Sequence, residues 1–318
     1  MEWDPTRFFG EAGVKTPPPF ALVVLNQPIN EVALSVLRKH ALVTVCADGG
    51  ANRFFEFAKS RGRESAELPD TIIGDLDSIR PEIRSHYSNF GVRIVEDDDQ
   101  YSTDFTKSLR YIREHEKAIL SSTSITARGS APVPSAPETE TSEQRNLEIL
   151  VLGGLGGRVD QAFSQIHHLY LMNQRQESSL ADTPGAGSGS GNLYLISEES
   201  ITFILKPGKN TIHVPGTNRP RISTSTSTSV STEPQKPLKE EEEGGEYLLE
   251  ENIGIIPLSG PACISTKGFE WDVEDWPTEI GGQISTSNHI RAEVVTVEAN
   301  VPVLFTLELA KRLKRVSR

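Results

Sequence analysis

Two cysteines leave no material for a disulfide framework; Cys46 and Cys263 each stand in an apolar run and read as two reduced core thiols of an intracellular protein. Basic charge is also short. Against 44 acidic side chains there are 32 Lys and Arg, a formal net charge of -12, so the field of the whole molecule repels nucleic acid and anionic membrane. No stretch approaches the roughly 20 apolar residues that cross a bilayer. Glu2, Asp4, Arg7 and Glu11 break up the first twenty residues, against a secretory signal, so a cytoplasmic protein is expected. The common nucleotide fingerprints are missing as well. Gly154 and Gly156 are followed by Val159 where a dinucleotide motif needs its third glycine, and the nearest imitation of a P-loop, PGKNT from Pro207, has Asn after its Lys.

What is present is a rhythm. Strands are expected at 21–25, 42–46, 71–73, 92–95 and 147–152, with helices at 30–39, 51–61, 81–88, 103–117 and 159–173 between them. Strand-helix alternation predicts a mostly parallel sheet covered on both faces. After Asn192 the pattern changes to closely spaced strands at 201–205, 211–214, 253–257, 262–266, 294–297 and 304–309. The expected fold is therefore an α/β domain over 20–198 followed by an all-β sandwich domain over 199–318. Three polar stretches, 121–145, 174–191 and 216–246, are too poor in apolar residues to offset ordering costs of about 1 to 2 kcal/mol per residue and read as disordered surface insertions.

Candidate chemistry gathers just past the strand ends, where open parallel sheets bind ligands. CADGGAN places Asp48 after a strand, with Gly49 and Gly50 allowing close backbone approach before the next helix. IGDLDS places Asp75 and Asp77 two residues apart; in an extended segment they share a face and can address one cation. STDFTK opens a helix with Ser102 or Thr103 as cap, Asp104 in its first turn and Lys107 on the same side. LGGLGGRVDQ supplies a glycine loop with Arg158, Asp160 and Gln161 at the next helix start. Each piece alone has a plain structural explanation, as a turn, a cap or a tight connection. Four carboxylates at successive sheet edges, however, repel one another unless cations neutralise them, and hard oxygen ligands suit Mg²⁺ with phosphate. The seven histidines show no metal or triad spacing.

The segments ADGGANRFFEF, LPDTIIGDLDSIRPEIR, DQYSTDFTKSLRYI, VLGGLGGRVDQ, EESITFILKPGKNTIHV, TKGFEWDV and ISTSNHI occur in an order that resembles the eukaryotic thiamine pyrophosphokinase family, covering nearly all the chain outside the insertions. The chain departs from that pattern at the insertions, at Ser102 and in its extended amino terminus. The resemblance implies transfer of the β,γ-diphosphate of ATP to thiamine, with Asp48, Asp75, Asp77 and Asp104 on magnesium and triphosphate. It places Gly49, Gly50, Gln100, Thr103, Lys107, Arg158 and Gln161 around the nucleotide, and Asp160 and Gln161 orienting the reacting groups. Trp271, Ser285 and Asn288 become the thiamine side, in a homodimer with sites between subunits; a Trp271 in the sandwich core is the plain alternative. Two other functions stay open on the residues alone: a glycosyltransferase using the paired aspartates for its metal, and a thiamine-binding regulator without turnover.

Overall fold

The computed structural model describes residues 1–10, 17–126, 146–182, 191–220 and 247–315. Its organising element is one ten-stranded sheet. Six strands run parallel: β2 (Phe20–Val24), β3 (Val43–Ala47), β4 (Thr71–Gly74), β5 (Arg93–Glu96), β6 (Glu148–Leu152) and β7 (Leu193–Ile196), in spatial order β5-β4-β3-β2-β6-β7. These are short β-branched runs, and β2 is buried along its whole length, as a strand covered on both faces requires. The chain leaves β2 toward β3 on one side and returns to its other side as β6, so the strand order reverses between β2 and β6.

Helices fill the crossovers. On one face lie α1 (Glu31–Leu37), α2 (Gly50–Ser60) and α3 (Pro81–Asn89), which bury Leu34, Phe54, Ile83 and Tyr87 in the larger of two apolar clusters. On the other lie α4 (Asp104–Glu114), α5 (Glu116–Thr126) and α6 (Val159–Asp182), which bury Phe105, Ile112 and Leu169 in the second. The helix expected over 103–117 is two helices: α4 ends at Glu114, with His115 as its cap, and α5 runs from Glu116 through Thr126, so the polar stretch beginning at Ser121 starts as helix. Likewise α6 continues past Asn173 to Asp182. Thr217 and Asn218 are not an insertion either: Thr217 is buried and donates to the Val214 carbonyl, and the Asn218 N–H donates to that of Leu249. The remainder of the three stretches, 127–145, 183–190 and 221–246, lies outside the described residues.

At β7 the sheet changes character without ending. β8 (Ser200–Leu205) turns back antiparallel on β7, and the sheet continues through β15 (Val303–Leu309), β10 (Leu249–Ile256) and β13 (Ser285–His289). A second sheet packs on it, in the order β1 (Glu2–Trp3), β9 (Gly208–His213), β14 (Val294–Ala299), β11 (Ala262–Lys267) and β12 (Trp276–Thr278). Phe203, Ile255 and Phe305 of the long sheet and Ile212, Ile264 and Val297 of the short one share a cluster with α1–α3. The sandwich is thus a β-rich half built on an extension of the α/β sheet, and the expected division at residue 198 falls in the turn between β7 and β8.

The amino terminus is built into this structure. Glu2 and Trp3 pair in parallel with β9, the Trp3 indole N–H donates to Asn210 Oδ1 at 3.0 Å, and its ring lies 4.8 Å from Phe203. Phe8 sits edge-on to Phe20 and Tyr194. The side-chain amide of the same Asn210 donates to the Lys206 and Gly208 carbonyls of its own turn and to that of Val297 on β14, which gives the PGKNT run a structural role.

Candidate active site

A cleft of about 580 Å³ opens at the carboxyl ends of the parallel strands, beside the reversal between β2 and β6. Open α/β sheets bind ligands at this position because two neighbouring crossovers leave on opposite faces and part the loops. Asp48, Asp75 and Asp104 bring one carboxylate oxygen each to within 4.8 Å of one another there.

Each carboxylate is placed by a different local device. Asp48 follows β3 in the left-handed region at φ 39°, and its buried carboxylate accepts the N–H of Ser78 at 2.9 Å and of Ile79 at 3.0 Å. It therefore also holds the loop that carries the other two aspartates of the β4 end. Asp104 sits in the first turn of α4, where Thr103 is the cap and takes the Thr106 N–H on its hydroxyl. Gly74 makes the convergence possible: a Cβ there would lie 2.6 Å from the Asp48 Cβ and 2.8 Å from Asp104 Oδ1. Sequence reasoning passed over Gly74, although a glycine immediately before the first aspartate was the available signal.

The segment after β4 is not extended. Leu76 takes φ 65° and buries its side chain, so the chain turns between Asp75 and Asp77, which both line the cleft from a turn and not from one face of a strand. Asp75 joins the cluster; Asp77 lines the same cleft, accepting the Ser78 hydroxyl at 2.7 Å, but stands outside the trio. Among the described residues three carboxylates thus lie within 4.8 Å of one another, with Asp77 as a fourth on the same cleft wall.

Electrostatics follow from this packing. Burial, with Asp104 nearby, raises the Asp48 carboxyl above its ordinary range, and burial together with the Asp75 charge does the same to Asp104. The Lys107 ammonium offsets part of this: it is buried, 1% exposed, and stands 3.4 Å from Asp104 Oδ1. Lys107 acts on the carboxylates from below and does not line the cleft.

The opposite wall comes from the glycine loop and α6. Gln161 lines it, as does Arg158, whose guanidinium is held in a two-pronged pair by Asp160 at the exposed mouth. That pair explains Asp160: its carboxylate serves Arg158 and is not part of the trio. Gln165 was missed; it is buried and accepts the N–H of Leu155 at 2.6 Å, fixing the glycine loop. Asn26 and Gln27, past β2, were missed too; their only signal was a polar pair directly after a buried strand. Gly49 lines the cleft, while Gly50 serves packing, since a Cβ there would meet the Val24 carbonyl oxygen at 2.1 Å. Gln100 is exposed and donates to the Asp98 carbonyl, away from the cleft lining.

The sandwich residues form a separate group. Trp271 is 58% exposed, which excludes a core role, and its ring lies 5.1 Å from His289. Asn288 is buried beside it, and Ser285 opens β13. None of Trp271, Ser285 and Asn288 lines the carboxylate cleft of the same chain. Cys46 is buried and burial pushes its thiol up, whereas Cys263 is partly exposed at the short sheet and is not a core thiol.

Comparison with known proteins matches residues 34–180 to the family described as Thiamin pyrophosphokinase, catalytic domain, and residues 238–304 to Thiamin pyrophosphokinase, vitamin B1 binding domain. Thiamine pyrophosphokinase 3 of Oryza sativa subsp. japonica is 31% identical over 303 residues, covering 91% of this chain and 87% of that protein. Thiamine pyrophosphokinase of Saccharomyces cerevisiae is 27% identical over 288 residues, covering 84% and 78%. The solved structure of thiamin pyrophosphokinase from Candida albicans superposes with a TM-score of 0.68 at 26% identity, covering 97% of this chain and 93% of that one.

Proposed function

This chain belongs to the thiamin pyrophosphokinase family, enzymes that make thiamine diphosphate, and from that premise we propose how its own residues carry the reaction. The observation that carries the reading is the trio Asp48, Asp75 and Asp104 at the parallel strand ends, with Lys107 beneath it. These residues fit Mg²⁺: the donors are all hard oxygens, and burial, with a neighbouring carboxylate, raises two of the carboxyls, so that an ion there would favour their charged forms. A divalent ion held there supplies neutralisation of phosphate charge. Arg158, steadied by Asp160 at the cleft mouth, meets the phosphate of ATP from the other wall. Thr103, Gln161, Gln165 and Gly49 shape the space around the nucleotide.

In the reaction the primary alcohol oxygen of thiamine bonds to the β-phosphorus of ATP. The bond from that phosphorus to the bridging oxygen breaks, AMP leaves with the oxygen, and the alcohol proton passes to Asp75 or Asp104. Positioning and charge neutralisation carry most of the acceleration, because phosphoryl transition states ask little covalent work of a protein. Trp271 offers an exposed aromatic face to the thiazolium cation, an attraction of about 0.5 to 2 kcal/mol. Because that face lies outside the cleft of its own chain, a second copy brings it to the site, in a homodimer. Free Cys46 and Cys263 suit the cytoplasm.

The test is a coupled assay for thiamine-dependent AMP release from ATP, with and without chelator. Thiamine diphosphate and AMP in equal amounts are expected, and chelator stops both. A nucleoside diphosphate released from a sugar donor, or no turnover, overturns the reaction; turnover that survives EDTA overturns the metal.

A further inference from the structure

Trp271 lies on the bend between β11 and β12, where no strand ladder takes its backbone groups. Asn288 takes both: the Trp271 N–H donates to Asn288 Oδ1 at 3.1 Å, and Asn288 Nδ2 donates to the Trp271 carbonyl at 3.0 Å. A carboxamide carries the donor and acceptor of a peptide group, so this side chain substitutes for a missing neighbouring strand. The same Oδ1 accepts the His289 N–H at 2.8 Å, and the Asn288 side chain is buried, 4% exposed. Ser287, at φ 56°, breaks the alternation of β13: it is exposed like Thr286 before it, and the chain then buries Asn288. The next residue, His289, lies under the indole, 5.1 Å away and tilted by 45°.

We infer that Asn288 is a positioning residue for Trp271: it clamps the backbone of the exposed aromatic so that the ring stays seated on His289 and ready to stack. The inference rests on the reading of Trp271 as the thiamine-side aromatic. Asn288 does not itself touch substrate, since its oxygen already takes two backbone N–H groups and its nitrogen serves a carbonyl inside the fold. An exposed ring without that clamp has more conformations to lose on binding, and the cost falls on thiamine affinity alone.

The experiment compares Asn288→Ala and Asn288→Asp with wild type by steady-state kinetics and by time-resolved tryptophan anisotropy, each repeated in a Trp271→Phe background. Asn288→Ala is expected to raise the thiamine KM about tenfold, the worth of the two hydrogen bonds lost by the Trp271 backbone, while the ATP KM stays within about twofold. The fast anisotropy component should grow, and should not in the Trp271→Phe background, since Trp3 and Trp276 are held elsewhere. Asn288→Asp keeps the acceptor but sets a carboxylate oxygen against the Trp271 carbonyl where the donor was, so a shift in the same direction and at least as large is expected, and this variant decides the matter if the alanine chain fails to fold. Equal rises in both KM values, or an anisotropy decay unchanged by either substitution, overturn the inference. If Trp271→Phe binds thiamine as wild type does and Trp271→Ala does too, the thiamine reading of this face fails, and the anisotropy comparison alone decides the clamp.

Discussion

Gly74 and Glu148 show how much one position can decide. Gly74 has no unusual backbone angle, so alanine is acceptable there as a strand residue, yet its methyl would press on Asp48 and Asp104 together. Gly74→Ala is therefore expected to lower the melting temperature, because the Asp48 Cβ it presses on belongs to a buried residue held by two backbone N–H groups, and to lower turnover by about 10² or more, as a displacement of catalytic groups by an ångström does. Turnover within a factor of two of wild type would mean that the carboxylates tolerate a looser arrangement. Glu148 stands at the other end of β6, mostly buried, where it accepts the Asn192 N–H at 2.6 Å. Burial pushes its carboxyl up to about 7 from an ordinary 4.5, with Asn192 and Arg113 pulling the other way. The folded state then keeps a proton that the unfolded chain releases, so stability from this group falls as pH rises from the unfolded value to the folded one and stays low above it. Glu148→Gln removes that loss. The variant should gain on wild type by at most about 3 kcal/mol at pH 8 and not at pH 4.5, measured by denaturant unfolding across that range. A difference that does not change with pH would show that Glu148 titrates normally.

At the scale of elements, the amino-terminal strap does more than its two paired residues suggest. Trp3 is 3% exposed and bonded to Asn210 of β9, while its ring rests on Phe203 of β8, so one side chain ties the short sheet to the long one. Trp3→Ala is expected to cost about 3 to 5 kcal/mol in urea unfolding, the usual range for an aromatic removed from a packed core. A cost under about 1 kcal/mol would place the strap outside the cooperative core. The helices that open beside the cleft show the complementary case. α4 and α2 are short and amphipathic, α4 capped by the Thr103 hydroxyl and α2 opening on Gly49 without a side-chain cap, and what sets them apart is that each begins at a strand end beside the cleft.

For the whole molecule, the separation of the carboxylate cleft from the Trp271 face has a consequence if sites are shared between copies. Asp75→Asn and Trp271→Ala chains, each nearly inactive alone, are unfolded and reassembled in equal amounts. Random pairing makes about half of the dimers mixed, and each mixed dimer has one intact site, so activity should return to about a quarter of wild type. Both parents must dimerise normally by light scattering. No gain over the mean of the parents would mean that each chain completes its own site.

The sequence by itself determined most of the local structure. Period-two and helical apolar patterns located five of the six parallel strands and their helices, because those patterns report which face is buried and burial drives the fold; Leu193–Ile196, four residues buried throughout, shows no alternation and was not among them. It also put Asp48, Asp75, Asp104 and Lys107 together, since strand-end loops of a parallel sheet have only one place to meet. The strand Ser285–His289 was illegible, being polar and paired through backbone bonds that leave no apolar pattern, and so was Glu2–Trp3, too short to show a period. What only the tertiary structure decided depends on contacts between distant segments. The left-handed turn at Leu76 separates Asp77 from the trio, Asp160 is spent on Arg158, Asn288 is buried under Trp271, and one sheet runs through both halves of the chain. Each of these is set by which groups must find a hydrogen-bond or packing partner across the fold, and no pattern within a single segment records that choice.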